Sequence, residues 1–114
     1  MVEINESKLH SKLRKKAIEF LKEKDVTEII HEKDMYYYDH EKMNWVRNRI
    51  DIIAYKDNII YLIELETQST KERISLAMER VGERKYVNVE NHTRKGFVFI
   101  PKMKNNNIVK LLEV

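Results

Sequence analysis

The chain has 114 residues and a net charge of +3; 42% of its residues are hydrophobic and 36% are charged, with two Gly, one Pro and no Cys. This composition excludes intrinsic disorder, a collagen-like sequence, a disulfide framework and a thiolate metal site. No apolar run approaches the roughly 18 residues that cross a bilayer, so we expect a single cytoplasmic domain over residues 1–114 with no membrane partner.

The first predicted element is a helix over residues 6–24, with Asn5 or Ser7 as its cap. Its apolar residues recur at steps of three and four, as one buried helical face requires; they are Leu9, Leu13, Ala17, Phe20 and Leu21. The other positions are rich in lysine. They fit a nucleic-acid-binding face or an ordinary solvated face.

The next predicted elements are strands. Residues 26–31 fit either a strand or a last helical turn, and the aromatic run at residues 35–38 indicates a strand. Residues 49–66 contain two β-branched runs around a short polar break, which predicts a hairpin. Nearly every position of both runs is apolar, so we expect them in the middle of a sheet with both faces covered.

The last third of the chain predicts a helix and a buried strand. Residues 71–90 carry a helical apolar stripe, and residues 96–100 form a short strand that Pro101 terminates. Residues 108–114 form an element whose type the pattern leaves open. The order is helix, strand, strand, strand, helix, strand, which predicts an α/β fold with a central mixed sheet flanked by helices.

Three carboxylates interrupt the apolar hairpin. If Asp57 and Asn58 form a two-residue turn, Asp51 lies opposite Glu64, and Glu66 shares their face. Buried unpaired carboxylates cost several kcal/mol, and like charges opposite each other destabilise a sheet. A hard divalent cation resolves this conflict, because Mg²⁺ accepts one or two carboxylates together with water and phosphate oxygens.

Two alternatives weaken that interpretation. A three-residue loop would shift the register by one position and turn Asp51 away from the other acids. Arg47 and Arg49 are also near in sequence and could pair with these carboxylates, or the strand ends could be solvated.

The pattern RID, twelve residues, then ELE resembles the PD-(D/E)XK nuclease superfamily, which includes archaeal Holliday-junction resolvases, many restriction enzymes and nucleases of archaeal viruses. The resemblance extends from residue 6 to about residue 100, and the element order matches the core of that superfamily. It implies a small restriction-endonuclease-like fold in which Asp51 and Glu64 are catalytic, metal-binding acids.

The position of the family's lysine is occupied by Glu66, which is a departure from the motif. Some restriction enzymes of the superfamily carry glutamate there, so the resemblance still implies a catalytic or metal-binding role for Glu66. A lysine from the following helix could supply the missing charge, with Lys71 nearest and Lys85 further along. Gln68 follows at a spacing where some members place a supporting polar residue.

Members of the superfamily often add a glutamate from the first helix. Glu6 and Glu19 both fit that description here, and the sequence does not separate them.

Two further groups of residues bear on nucleic-acid binding. A basic set on and beside the second helix could follow a phosphate backbone, or form a solvated face; it comprises Lys71, Arg73, Arg80, Arg84 and Lys85. An aromatic set could stack on unpaired bases, although such residues more often lie in strand cores or dimer interfaces; it comprises Tyr36, Tyr37, Tyr38 and Trp45. The four histidines show no metal-ligand spacing.

The sequence therefore predicts a Mg²⁺- or Mn²⁺-dependent endonuclease that acts on DNA, including branched or single-stranded DNA, as a homodimer. If the source is a virus, the protein would act in the host cytoplasm. The alternative is a nuclease-fold protein that has lost activity and binds nucleic acid or serves as a scaffold.

Overall fold

A computed structural model of the protein describes residues 6–84, 92–101 and 109–114. The elements in chain order are α1 (Lys8–Glu23), β1 (Glu28–Asp39), β2 (Asn44–Lys56), β3 (Ile59–Leu65), α2 (Lys71–Arg84), β4 (Thr93–Pro101) and β5 (Val109–Glu113). The five strands form one sheet in the order β1-β2-β3-β4-β5. Neighbouring strands are antiparallel except β3 and β4, which are parallel. The α/β class, the mixed sheet and the predicted order are confirmed, and β5 extends the sheet by a fifth strand.

Helix α1 begins where the sequence provides a cap. The Ser7 hydroxyl accepts a hydrogen bond from the His10 backbone N–H at 3.2 Å, which satisfies one of the donors that a helix start leaves unpaired. The buried face of the helix is apolar apart from one arginine: Leu13, Arg14, Ala17 and Leu21. The other proposed cap, Asn5, lies outside the described residues.

The two helices cover opposite faces of the sheet. The α1-side core contains the buried face of α1 together with Tyr61, Ile63 and Leu65 of β3. The α2-side core contains Ala77 and Val81 of α2, with Ile60 and Leu62 of β3. Alternate residues of one strand thus enter different cores, as strand geometry requires. The continuous apolar runs are explained by this double cover, and the mid-sheet prediction is confirmed.

The turn between β2 and β3 has two residues. Lys56 pairs with Ile59, and the ladder continues to Ile52 opposite Ile63. Asp57, the first turn residue, has a φ of 51°, a left-handed conformation that aspartate and asparagine tolerate better than most residues. The two-residue turn that the carboxylate prediction assumed is therefore confirmed, and the ladder itself ends one position before Asp51 and Glu64.

The β3–α2–β4 segment makes the crossover that joins two parallel strands. Helix α2 is described to Arg84, and the remainder of the predicted helix, residues 85–90, lies outside the described residues. Strand β4 is longer than predicted at its start and ends at Pro101, which pairs with Val109 of β5. The element of open type at the C-terminus is therefore a strand.

Strand β1 is a single long strand that incorporates both predicted pieces. It pairs with β2 from Glu28 opposite Tyr55 to Asp39 opposite Asn44. The ladder between β2 and β3 stops at Ile52. The paired residues 34–39 and 44–49, which we name the β1–β2 arm, therefore extend past the β2–β3 ladder. Within the described ranges, the helices are too short or too polar to cross a membrane.

Candidate functional site

Asp51 lies where β2 passes from the β1–β2 arm into the core. One of its carboxylate oxygens, Oδ2, accepts a hydrogen bond from the backbone N–H of Leu65 at 2.8 Å. Its backbone carbonyl accepts one from Arg14 Nη1 at 3.2 Å. Asp51 is thus fixed by the end of β3 and by helix α1. A carboxylate offers about four acceptor positions, so the bond from Leu65 leaves acceptor capacity for a cation.

The backbone is irregular around Asp51. Ile50 belongs to the α2-side core and Ile52 to the α1-side core, although residues two apart in a regular strand share a face. Across the sheet, Glu32 has a φ of 53°, and its carboxylate is bound by Arg14. Backbone conformations of this kind persist when surrounding contacts impose them, and they often occur at functional sites.

Glu64 is buried in the middle of the sheet. The β2–β3 ladder ends with Ile52 opposite Ile63, and Glu64 and Asp51 are the next residues of the two strands. Only 8% of the surface of Glu64 is exposed. Glu64 also pairs in parallel with Val98 of β4. A carboxylate this deeply buried costs several kcal/mol unless charge or hydrogen bonds compensate for it.

Glu66 is equally buried, at 6% exposed, and is partnered by helix α2. Its Oε1 accepts hydrogen bonds from the Gln68 backbone N–H at 3.1 Å and from Arg73 Nε at 3.3 Å. Arg73 therefore supplies a positive charge beside the residue at the lysine position of the motif. The sequence identified Lys71 and Lys85 as the candidates for that charge and assigned Arg73 only to a phosphate-binding surface.

Asp51 and Glu64 have the chemistry that a hard cation requires. Mg²⁺ is commonly bound by one or two carboxylates, with water and phosphate oxygens completing the coordination. Among residues 6–84, 92–101 and 109–114, no three His, Cys, Asp or Glu side chains are grouped so that they could hold a metal ion. Glu66 is bound to Arg73 instead. Asp51 and Glu64 remain the candidate ligands, and the binding of Mg²⁺ or Mn²⁺ stays a prediction.

The sequence did not reveal a network of hydrogen bonds around Arg14. Arg14 is 7% exposed, and it donates from Nε to Glu6 Oε1 at 3.2 Å and from Nη1 to His31 Nδ1 at 2.8 Å. It also binds Glu32, while His10 binds Glu6. The available signal was the place of Arg14 on the apolar face, next to Leu13 and three positions before Ala17, where a charged residue needs buried partners.

The network shifts two pKa values downward. Burial alone would raise the pKa of Glu6, but hydrogen bonds from His10 and Arg14 outweigh it and hold the pKa below its usual value. Burial and the positive charge of Arg14 lower the pKa of His31. Both shifts favour the pairing seen here, in which Glu6 is ionised and a neutral His31 accepts a hydrogen bond from Arg14.

The same network separates the two first-helix glutamates. Glu6 is linked to Asp51 through Arg14, which binds both residues. Glu19 lies on the exposed side of α1 and pairs with Lys16 at 3.4 Å. Of the two candidates, Glu6 is therefore the one connected to the carboxylate site.

The remaining residues of the predicted basic set are spread along α2. Lys71 is exposed at the helix start and Arg80 is half-buried. The position of the Arg84 side chain and all of Lys85 lie outside the described residues. Gln68 is exposed and reaches Glu66 through its backbone rather than its side chain. Binding of nucleic acid by this set stays a prediction.

The aromatic set lies on the β1–β2 arm. Trp45 is 69% exposed and Tyr36 is 55% exposed, so a strand-core role is wrong for these two residues. Tyr38 packs edge-to-face against Trp45 with ring centroids 5.6 Å apart. The side chain of Tyr37 lies outside the description.

Comparisons with known proteins identify no relative: no protein family, no curated protein and no solved structure matches this chain. The class established by the fold is an α/β domain with a mixed five-stranded sheet and two helices. Function must therefore be inferred from the chemistry of the site.

Proposed function

We propose that this protein is a metal-dependent endonuclease that hydrolyses phosphodiester bonds in DNA. The observation that carries the proposal is the position of Asp51 and Glu64, the two acidic residues that directly follow the last ladder pair, Ile52 with Ile63, of an otherwise apolar hairpin. The resemblance of the RID and ELE pattern to the PD-(D/E)XK superfamily supports the same activity.

In this mechanism Asp51 and Glu64 would hold the divalent cation. A bound Mg²⁺ or Mn²⁺ would neutralise charge on the scissile phosphate and lower the pKa of the attacking water. The protein keeps Asp51 in place through the N–H of Leu65 and the guanidinium of Arg14. Such outer contacts orient a metal-binding carboxylate and are part of the site.

Glu66 and Arg73 together replace the two functions of the missing lysine. A lysine would neutralise the phosphate and donate to the water, whereas Glu66 can only accept. Arg73 is 43% exposed while it contacts Glu66, so its guanidinium can donate to a phosphate oxygen without leaving its partner. Glu66 accepts a hydrogen bond from the attacking water and orients it.

The proposed active form is a homodimer. A domain of 114 residues offers little surface for DNA, and cutting both strands of a duplex favours two sites related by a two-fold axis. Sedimentation of the protein with and without DNA tests this: a monomer in both conditions would contradict it.

A cleavage assay tests the activity. Supercoiled, single-stranded and branched DNA are incubated with wild-type protein, with and without Mn²⁺. We expect metal-dependent cleavage that Asp51→Asn abolishes. The matched control is Asp57→Asn, which makes the same change in an exposed turn whose left-handed backbone asparagine tolerates, and which should cleave normally. Cleavage that is equal in Asp51→Asn and wild type would overturn the proposal.

The second candidate is a non-catalytic nucleic-acid-binding or scaffold protein. The observation that favours it is the pairing of Glu66 with Arg73, which neutralises both charges at the position where the superfamily keeps a lysine. This protein would bind DNA with a salt-sensitive affinity, never cleave it, and be indifferent to Glu66→Ala.

A further inference from the structure

We propose that the β1–β2 arm binds an unpaired nucleic-acid strand by stacking its bases on Trp45 and Tyr36. This inference deepens the proposed function by naming the substrate class, and it rests on that function only for the expectation that nucleic acid is bound. The arm is a surface that the carboxylate site does not use.

The arm projects from the packed part of the sheet. Its two strands pair at six successive positions, from Asp34 with Arg49 to Asp39 with Asn44. At about 3.3 Å per residue, six positions reach roughly 20 Å. This length accommodates several nucleotides of an extended strand.

One face of the arm combines rings with positive charge. Tyr36 pairs with Arg47, and Tyr38 pairs with Trp45. Paired residues in a ladder lie on the same face, as do residues two apart, so these four side chains share one side. Arg47 is exposed. Aromatic rings for bases and a cation for phosphates are the two components of sequence-independent single-strand binding.

The aromatic face is ordered before any ligand binds. The Trp45 ring meets Tyr38 edge-to-face at 72° and 5.6 Å, and Tyr38 contacts His40 in the same way at 5.0 Å. Trp45 nevertheless keeps 69% of its surface in contact with solvent. A ring held in place but exposed loses little entropy on binding, and the face that remains free can stack on a base.

Charge favours nucleic acid over a second copy of the chain. The ring-bearing face of the arm carries Arg47 and Arg49 against one acid, Asp34, so its net charge is positive. In a two-fold interface formed by this face, each copy presents the same residues, so two positive faces would meet, and like charges in an interface are unfavourable. A polyanion meets the same face with complementary charge.

An unpaired strand fits better than a duplex because stacked base pairs hide the faces of their bases. The arm also leads to the candidate carboxylates, since Arg49 at its base precedes Asp51 by two residues. A strand on the arm would therefore be directed toward the site. This geometry fits a single-stranded or branched substrate.

Intrinsic fluorescence tests the proposal directly because Trp45 is the sole tryptophan. Wild-type protein is titrated, in EDTA so that cleavage cannot occur, with a single-stranded DNA oligonucleotide and with a blunt duplex of the same sequence. We expect quenching by the single strand at concentrations where the duplex has little effect. Quenching by the duplex at equal or lower concentration would overturn the proposal.

Variants separate stacking from general binding. Tyr36→Ala should weaken single-strand binding by about fivefold or more, since a base stack contributes about 1–3 kcal/mol, and Tyr36→Phe should restore it. Arg47→Gln should reduce the salt dependence by about one counterion. The control is Met43→Ala in the turn between β1 and β2, which removes an apolar side chain that is 73% exposed and should change neither the affinity nor the salt dependence. Equal binding by Tyr36→Ala and wild type would contradict the proposal.

A second copy of the chain on the arm would give a different experimental result. If a second copy covers the arm, tryptophan emission will change with protein concentration in the absence of DNA, and Tyr36→Ala will dissociate a dimer; that result would overturn the inference. Single-strand binding without cleavage would support strand binding by the arm and refute the endonuclease activity. Cleavage that is insensitive to all arm variants would support the endonuclease activity and refute strand binding by the arm.

Discussion

The two ends of strand β2 belong to different environments. Residues Ile50, Ile52, Ile53 and Ala54 are each at most 1% exposed and lie between two helices. A few residues earlier, Trp45 is 69% exposed on an arm that passes the β2–β3 ladder. One strand thus contributes to stability at one end and presents a surface at the other. Asp51 lies near the junction, where the core holds it but solvent can reach it.

The largest predicted effect contrasts the two ends of this strand. Ile52→Ala should lower the free energy of unfolding by about 2–5 kcal/mol, because it opens a cavity in the α1-side core. Trp45→Ala should change it by no more than about 0.5 kcal/mol, as exposed substitutions usually do. Urea unfolding measures both. A large loss for Trp45→Ala would show that the arm is covered in solution.

The Arg14 network should be the next most sensitive feature. Arg14→Gln removes the cation that binds Glu6 and Glu32, and hydrogen bonds to charged groups contribute about 1.5–3 kcal/mol, so we expect a loss in that range. Lys15→Gln, an equivalent change at an exposed position of the same helix, is the control. If both variants unfold at the same urea concentration, the network does not stabilise the fold.

The pairing of Glu66 with Arg73 predicts a charge-swap result. Glu66→Lys restores the common motif, but it places a lysine against Arg73 and should destabilise the protein by about 1 kcal/mol, a modest value because Arg73 is partly solvated. The double variant Glu66→Lys with Arg73→Glu should recover that loss, and some cleavage activity should remain with Glu66→Lys. Glu66→Ala should abolish cleavage. Additive losses in the double variant would exclude a direct interaction.

The smallest predicted effect is a pH dependence. His31 and Glu6 have lowered pKa values in the folded protein, so the unfolded chain binds more protons and acid destabilises the fold. The contribution of His31 is complete above about pH 6.5 and is lost as the pH falls through its folded pKa; that of Glu6 is lost at lower pH. Between pH 8 and pH 5, the stability measured by thermal unfolding should change less with pH in His31→Gln than in the wild type, by less than about 1 kcal/mol. His40→Gln, at an exposed ring, should match the wild type.

Local patterns predicted the centre of the fold well. Continuous apolar runs require cover on both faces, and a two-residue turn fixes register, so the positions of β2 and β3 and their pairing up to Ile52 with Ile63 followed from adjacent residues. The same reasoning placed helix α2 and strand β4. These features depend on interactions between neighbours in the sequence or across one turn.

Contacts between distant segments could not be predicted. The bonds of Arg14 span 8 residues to Glu6, 17 to His31 and 37 to Asp51, and no periodicity encodes them. The histidines therefore looked unremarkable, and Glu6 and Glu19 could not be separated. The contact of Arg73 with Glu66 depends on how α2 packs after the β3 strand, which the pattern of charges alone does not reveal.

Titration calorimetry with Mn²⁺ in the absence of DNA tests most directly whether Asp51 and Glu64 form a metal site. We expect one Mn²⁺ site in the wild-type protein, with an affinity at least about tenfold lower in Asp51→Asn and in Glu64→Gln and unchanged in Asp57→Asn. We also expect Asp51→Asn to remain folded, with stability equal to or above that of the wild type, because the substitution removes one of two neighbouring negative charges. Absence of Mn²⁺ binding to the wild type, or equal binding by Asp51→Asn, would contradict the assignment of these carboxylates as a metal site.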